Sequence, residues 1–196
     1  MDYASADDKT LVELACEGRE AAYRELLERF QRPVFSLIFR MVRDRELAED
    51  LAQEAFVKAF NAVDSFDPRY KFSSWLFKIA NNVAIDHLRK RELETVSIDG
   101  SPHSQGEEET EHSRITLESR EENPEEYTQA RELGGRIEDA IGRLRPEYRT
   151  AVLLRHVEGY SYEDIAQVME LPLGTVKTYI HRARKQLKDH LEPIAS

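Results

Sequence analysis

The strongest constraint on the fold is the spacing of apolar residues between Ser161 and Lys188. In the second half of this stretch they recur at steps of three and four, which places them on one side of a helix. The residues are Val176, Ile180, Ala183 and Leu187. Ser161 with Asp164 resembles a capping box and predicts a short preceding helix, with Ile165, Ala166 and Met169 on its apolar side. The break at 171–174, Leu-Pro-Leu-Gly, then predicts a helix-turn-helix.

The outer face of the second predicted helix is basic, and this face has two interpretations. It carries Lys177, Thr178, His181, Arg182, Arg184, Lys185 and Lys188. Such a face is either simply solvated or reads DNA. The chain as a whole has a formal net charge of -10 and a pI near 5.2, whereas a free-standing DNA-binding protein usually carries a positive balance. Either the basic face does not bind DNA, or it binds DNA weakly unless a partner protein contributes.

Bulk properties favour a non-secreted protein. Cys16 is the single cysteine, which excludes an internal disulfide, and its position beside Leu14 and Ala15 predicts a small core residue. The N-terminus shows no signal-peptide pattern, and the apolar runs are too short to span a bilayer. We expect a cytoplasmic protein without membrane insertion.

Enzymatic chemistry has little support in the sequence. None of the six histidines pairs with another at a metal-binding helical spacing, and neither a phosphate loop nor a nucleophile elbow occurs. We therefore expect no catalytic residue, no metal site and no cofactor.

Composition divides the chain into three zones, 1–92, 93–131 and 132–196. The first has apolar residues at helical spacing and predicts five helices, with a break at Pro33 and a fifth helix over about 72–91. The second has nine glutamates between Ser104 and Glu126 and too few apolar residues for a core, which predicts a flexible acidic linker. The third predicts four helices. Its inward residues are expected to include Leu133, Ile137, Ala140, Ile141, Leu144 and Val157. The fold class is thus all-α, with two small helical domains.

The fifth predicted helix combines aromatic and polar residues in a pattern that suits unstacked bases. Rings stack on bases, amides read their edges and cations hold phosphates. The alternative for Phe72 and Trp75 is an ordinary core position. The polar face consists of Lys78, Asn81, Asn82, Arg89 and Lys90. Two adjacent asparagines are poor helix formers, which favours a role beyond helix formation.

Two runs of residues resemble extracytoplasmic-function sigma factors. The run 48–56, AEDLAQEAF, with 72–82, FSSWLFKIANN, and the later Asp86 and Arg89, is similar to their conserved region two. The runs 144–149, LRPEYR, 162–166, YEDIA, and 174–177, GTVK, are similar to region four. The two likenesses cover both apolar zones in the expected order.

The resemblance implies a division of labour along the chain. Residues 1–92 would bind core RNA polymerase and the minus 10 element, and 132–196 the minus 35 element. The polymerase surface, docking on the clamp helices of the largest subunit, would comprise Asp50, Leu51, Gln53, Glu54 and Phe56. The minus 10 contacts would come from Phe72, Trp75, Lys78, Asn81, Asn82, Arg89 and Lys90, on duplex and melted promoter DNA. The minus 35 contacts would come from Thr175, Lys177, Thr178, Tyr179, His181, Arg182, Arg184 and Lys185.

The resemblance also implies that the linker threads toward the polymerase active centre, and that an anti-sigma factor is a partner. Two positions depart from the family pattern. Thr178-Tyr179 replaces the frequent Ser-Arg, so a DNA contact is exchanged for stacking or core packing, and Glu170 replaces a small residue in the turn. A conventional helix-turn-helix regulator with an N-terminal sensing or dimerisation domain is the alternative, followed by a protein-binding scaffold.

Overall fold

The computed structural model describes residues 2–99 and 124–191, with side chains described up to 93 and again from 132. Within these residues the chain forms eight α-helices and a short 3-10 turn at Val63–Ser65. The N-terminal module contains α1 (Asp8–Cys16), α2 (Glu20–Val42), α3 (Arg45–Asn61) and α4 (Phe72–Asp99). The C-terminal module contains α5 (Pro124–Gly142), α6 (Pro146–His156), α7 (Tyr162–Met169) and α8 (Leu173–Leu191). The predicted all-α fold is confirmed.

The predicted break at Pro33 is wrong, because α2 runs through it. A mid-helix proline removes one hydrogen bond and costs about 3 kcal/mol. Leu26 before it and Val34, Leu37 and Ile38 after it are all buried on one stripe. Burial of that stripe on both sides of Pro33 offsets the lost bond and keeps the helix continuous.

The helices also extend into the zone predicted as linker. Helix α4 continues to Asp99, and α5 begins at Pro124, where the missing N–H suits a first helical position. The remainder of the predicted linker lies outside the described residues.

Three inward predictions in the C-terminal module are wrong. Leu133 is 56% exposed, Ile137 38% and Val157 47%, whereas Ala140 and Leu144 are buried as predicted. The first two lie on the exposed side of α5, and Val157 follows the end of α6. Cys16 is also exposed rather than in the core, because it lies at the last residue of α1.

The predicted turn chemistry is largely confirmed. Pro146 is the first residue of α6, and Gly159 adopts a φ of +72° after that helix, a conformation that favours glycine. Ser161 and Asp164 form the capping box reciprocally. The break before α8 is shorter than predicted, since α8 already begins at Leu173.

The two modules pack against each other. Helix α7 lies on α4, α6 contacts α2 and α4, and α5 contacts α2. Apolar side chains of both modules form one continuous buried cluster, and a smaller one comprises Leu144, Tyr148, Val152 and Ala183. Within residues 2–99 and 124–191, none of the helices combines the length and apolar character that a bilayer crossing requires.

Candidate nucleic-acid interface

Helix α8 presents the basic face predicted from the sequence. Val176, Ile180 and Ala183 are buried beneath it. The exposed residues of the opposite face are Lys177, Thr178, His181, Arg182, Arg184 and Lys185. Thr175, at the start of the helix, is half-buried. Because the apolar stripe fixes the rotation of α8, the cations point away from the module.

Tyr179 occupies a different position from the rest of this set. Its ring packs on Tyr148 with a centroid separation of 5.1 Å, and the side chain is half-buried. The Arg182 guanidinium donates a 3.2 Å hydrogen bond to the Tyr148 hydroxyl. Tyr179 therefore packs α8 against α6, and the hydrogen bond to Tyr148 holds the Arg182 side chain beside the same ring.

Helix α7, which positions α8, begins with a capping box and ends at a residue with a left-handed backbone conformation. The Ser161 hydroxyl accepts from the Asp164 N–H at 3.0 Å, and the Asp164 carboxylate accepts from the Ser161 N–H at 3.3 Å. Burial raises the pKa of Asp164, but hydrogen bonds from Ser161 and Lys71 outweigh it, and the net pKa is lowered. Glu170 ends the helix with a left-handed φ of 54°, a conformation in which glycine is less strained because it has no Cβ.

The aromatic residues before and on α4 are mostly packed together. Phe72 is buried, and its ring contacts Phe66 and Trp75 at centroid separations of 5.7 Å in both cases. Trp75 is half-buried. Tyr70 is the exposed ring of this loop, with the Arg69 guanidinium 6.0 Å from its centroid. The sequence showed three aromatics in this loop, but only the packing distinguishes which one is exposed.

The polar face of α4 is divided by the packing of the modules. Asn82, Arg89 and Lys90 are exposed. Asn81 is only 2% exposed, and its Oδ1 accepts a 2.8 Å hydrogen bond from the Thr150 hydroxyl of α6. Lys78 forms a 2.8 Å ion pair with Glu170.

Helix α3 presents an acidic outer face. Asp50, Gln53 and Glu54 are exposed, whereas Leu51 and Phe56 lie in the core beneath them. Glu54 pairs with Lys58 at 2.7 Å. Val57, beside this face, is 58% exposed. An acidic, partly apolar helical surface complements a basic protein partner.

The three predicted sets remain on three separate helices. Helix α3 packs on α4, and α7 lies between α4 and α8, since it packs on both. The fold therefore joins an acidic surface, an amide-bearing helix and a basic helix-turn-helix in one molecule. This combination is typical of a protein that binds macromolecules through several separate surfaces, rather than a small ligand in one pocket.

Comparison with known families identifies both modules. Residues 26–94 match the model of sigma-70 region 2, and residues 134–187 match that of sigma-70 region 4. The RNA polymerase sigma-H factor of Pseudomonas aeruginosa is 37% identical over 187 residues, covering 95% of each chain. The ECF RNA polymerase sigma factor SigW of Bacillus subtilis is 33% identical over 184 residues, covering 91% of this chain and 93% of that one.

A solved structure shows the same fold. The sigma factor RpoE of Bartonella quintana, in complex with the anti-sigma factor NepR, superposes with a TM-score of 0.64 at 25% identity, over 87% of this chain and 96% of that one. The chain belongs to the sigma-70 family, in its ECF group. Its function is that of a sigma factor, which directs RNA polymerase to promoters.

Proposed function

We propose that the three surfaces divide the work of initiation as the family resemblance implies. The exposed part of α3, with Asp50, Gln53 and Glu54, docks on the clamp helices of the polymerase largest subunit. Leu51 and Phe56 support that face from the core. The domain boundaries proposed are residues 1–92 for polymerase and minus 10 binding and 132–196 for minus 35 binding, with 93–131 between them.

Helix α8 reads the minus 35 element in the major groove. The set Thr175, Lys177, Thr178, His181, Arg182, Arg184 and Lys185 supplies the contacts, while Tyr179 acts through its packing on Tyr148. Most of these cations hold phosphates and position the helix, and base contacts then specify the sequence. The observation that supports this role is the outward direction of the whole basic face.

Helix α4 binds the opened minus 10 strand. Trp75, Lys78, Asn81, Asn82, Arg89 and Lys90 contact the bases and phosphates, and Phe72 holds Trp75 in place. Melting is driven by binding, because capture of unstacked bases offsets the few kcal/mol that unstacking costs. The chain itself catalyses no reaction and uses no cofactor. It acts in the cytoplasm, and an anti-sigma factor is its proposed regulator.

The observation that carries the proposal is the acidic α3 face and the asparagine-bearing α4 in one module. A simple helix-turn-helix regulator would need neither. Gel filtration of the chain with core polymerase and a promoter fragment tests it, followed by run-off transcription. We expect a complex and specific initiation. Failure to bind polymerase, combined with unaided binding to duplex DNA, would favour the regulator instead.

A charge-reversal pair sharpens the polymerase assignment. Asp50→Arg should weaken polymerase binding at least tenfold, because it opposes a basic partner. Glu28→Arg is the matched control, since Glu28 is equally an exposed acid but lies on α2. Equal effects of the two substitutions would contradict the assignment of the α3 face.

A further inference from the structure

We propose that Tyr148 on α6, a residue outside the predicted DNA-binding set, is a positioning residue for promoter recognition. Its hydroxyl oxygen holds the Arg182 guanidinium in the orientation in which that cation binds a phosphate of the minus 35 element. This inference rests on the role proposed for α8. It adds a residue of a neighbouring helix that does not contact DNA itself but sets how tightly α8 binds it.

Tyr148 is a buried residue whose hydroxyl reaches the basic face. It is 7% exposed and belongs to the smaller apolar cluster, with Leu144, Val152 and Ala183, where α6 packs on α8. The oxygen at the far end of its ring accepts a 3.2 Å hydrogen bond from Arg182 Nη1. Because close packing fixes the ring, the core of the module determines where this acceptor lies.

Tyr179 supports the Tyr148 ring from α8. It lies three residues before Arg182 and is therefore its neighbour on the helix surface. Its ring packs on that of Tyr148 with a centroid separation of 5.1 Å and an interplanar angle of 59°. Tyr179 occupies one of the two positions at which the chain departs from the family pattern. The ring that replaces a frequent arginine there thus supports the acceptor of Arg182.

The acceptor of Arg182 is a neutral oxygen, which preserves the charge of the cation. A carboxylate would also orient a guanidinium, but it would neutralise it, as Glu170 neutralises Lys78 on α4. The phenol hydroxyl orients Arg182 and leaves its positive charge for a phosphate. The planar guanidinium has further N–H groups beyond the one that Tyr148 engages, and these can donate to phosphate oxygens.

The place of Arg182 along α8 favours a phosphate rather than a base as its ligand. The helix begins at Leu173, so Arg182 lies in its third turn. In a helix-turn-helix, the N-terminal residues of the second helix read the base edges, and a cation further along is placed for the backbone. Phosphate contacts fix the orientation of the protein on the duplex and carry no sequence information. Tyr148 should therefore affect affinity for all promoters of this chain alike.

The mobility of Arg182 in the free full-length chain tests the contact without polymerase or DNA. Nitrogen-15 relaxation of arginine Nε–Hε groups reports motion on the ps–ns timescale, and Arg182→Lys and Arg184→Lys identify the two signals. We expect an ordered group at Arg182 and a mobile one at Arg184, an exposed arginine of the same face. Tyr148→Phe, which removes the hydroxyl and keeps the ring, should make Arg182 equally mobile. Equal mobility of the two arginines in the wild-type chain would overturn the inference.

A double-mutant cycle tests whether Tyr148 acts through Arg182. The probe is a labelled promoter duplex that the holoenzyme selects from a random-sequence library, and fluorescence anisotropy measures its affinity. Tyr148→Phe should weaken binding about fivefold, because the Arg182 side chain must then be ordered on binding. In an Arg182→Ala background the same substitution should change nothing, since no arginine remains to be positioned. An equal loss in both backgrounds, or no loss in either, would overturn the inference.

Tyr23→Phe on α2 is the matched control. Tyr23 is half-buried and also packs on an aromatic ring, that of Phe60 at a centroid separation of 5.0 Å, but it belongs to the N-terminal module. It should leave the mobility of Arg182 and the affinity for the duplex unchanged, and circular dichroism verifies that both variants fold. If the holoenzyme selects no duplex, the proposed function fails. If it selects one and the cycle is additive, only the role of Tyr148 fails.

Discussion

The two helices proposed to contact promoter DNA differ in how their polar faces are used by the rest of the fold. Helix α8 buries only its apolar stripe and exposes its cations. Helix α4 buries apolar residues and also Asn81, and it pairs Lys78 with a residue of the other module. Two helices with similar polar and cationic residues can therefore differ in how many of these side chains are free to contact DNA. A polar face becomes an open interface only when no second module packs on it.

The largest effect should come from removing Arg149, a cation of α6 that is only 8% exposed. The Arg149 guanidinium donates hydrogen bonds to four carbonyl oxygens, those of Met41, Ile141, Gly142 and Leu144. Arg149→Met leaves these acceptors without their donor, which should lower the free energy of unfolding by about 3 kcal/mol. It also removes the hydrogen bond from α6 to the main chain of α2, although the apolar cluster shared by the two modules remains. Urea unfolding measures the loss. Arg143→Met, at an exposed position of the same module, should change it by less than about 0.5 kcal/mol. Equal midpoints would contradict the role of Arg149.

Charge reversal on α8, the helix whose polar face is exposed, should affect binding to the upstream promoter and not binding to polymerase. Lys177→Glu or Arg182→Glu should weaken binding of the holoenzyme to an upstream promoter duplex about tenfold, because each replaces a cation near phosphates with a repelling charge. Polymerase binding should remain intact in both α8 variants, and also in the control variant Lys9→Glu on α1. Fluorescence anisotropy measures both. Loss of polymerase binding in an α8 variant would refute the assignment of this face.

A smaller effect is expected at the helix that lies between α4 and α8. Ser161→Ala removes the capping box of α7, which should lower the free energy of unfolding by about 1 kcal/mol. Because α7 contacts both helices, the amide protons of α4 and α8 should exchange faster together. Ser5→Ala, at an exposed serine near the N-terminus, is the control. Faster exchange confined to α7 would show that this helix does not couple the two surfaces.

The smallest effect is a pH dependence beside α8. Burial, Arg184 and Arg155 lower the pKa of His156 below its ordinary 6.5. The unfolded chain therefore binds a proton more readily, and the stability present above pH 6.5 is lost as the pH falls below it. His156→Gln should reduce the difference in Tm between pH 7.5 and pH 5.5, whereas Gln186→Asn, at an exposed position of α8 that does not titrate, should leave it unchanged. An unaltered difference in His156→Gln would contradict this effect.

Local sequence patterns predicted the helix-turn-helix because its determinants are close together in the chain. The capping box, the stripe of α8 and the position of Pro146 depend on neighbours within a few residues. The continuity of α2 through Pro33 could not be predicted in this way, since it depends on burial against α3 and α4. The exposure of Leu133 and Ile137 likewise depends on where α5 finds a partner, although their spacing is that of a core stripe.

The site residues show the same limit. Spacing predicted that Asn81 and Asn82 share a polar function, but tertiary packing separates them, because Asn81 meets Thr150 and Asn82 meets solvent. The sequence also could not predict that Phe72 is buried and Tyr70 exposed. Residue type and periodicity identify candidate groups, whereas availability depends on a module that lies about 70 residues further along the chain.

The link from Arg149 to the main chain of Met41 has a consequence for genetics. A carbonyl oxygen is common to all residues, so substitutions at Met41 retain the acceptor and alter only the packing around it. Substitutions that weaken the contact between the modules should therefore arise mainly on the α6 side, at Arg149 and Thr150. Drift in the side chain at position 41 would leave this hydrogen bond in place, so its inheritance depends on the identity of residue 149 alone.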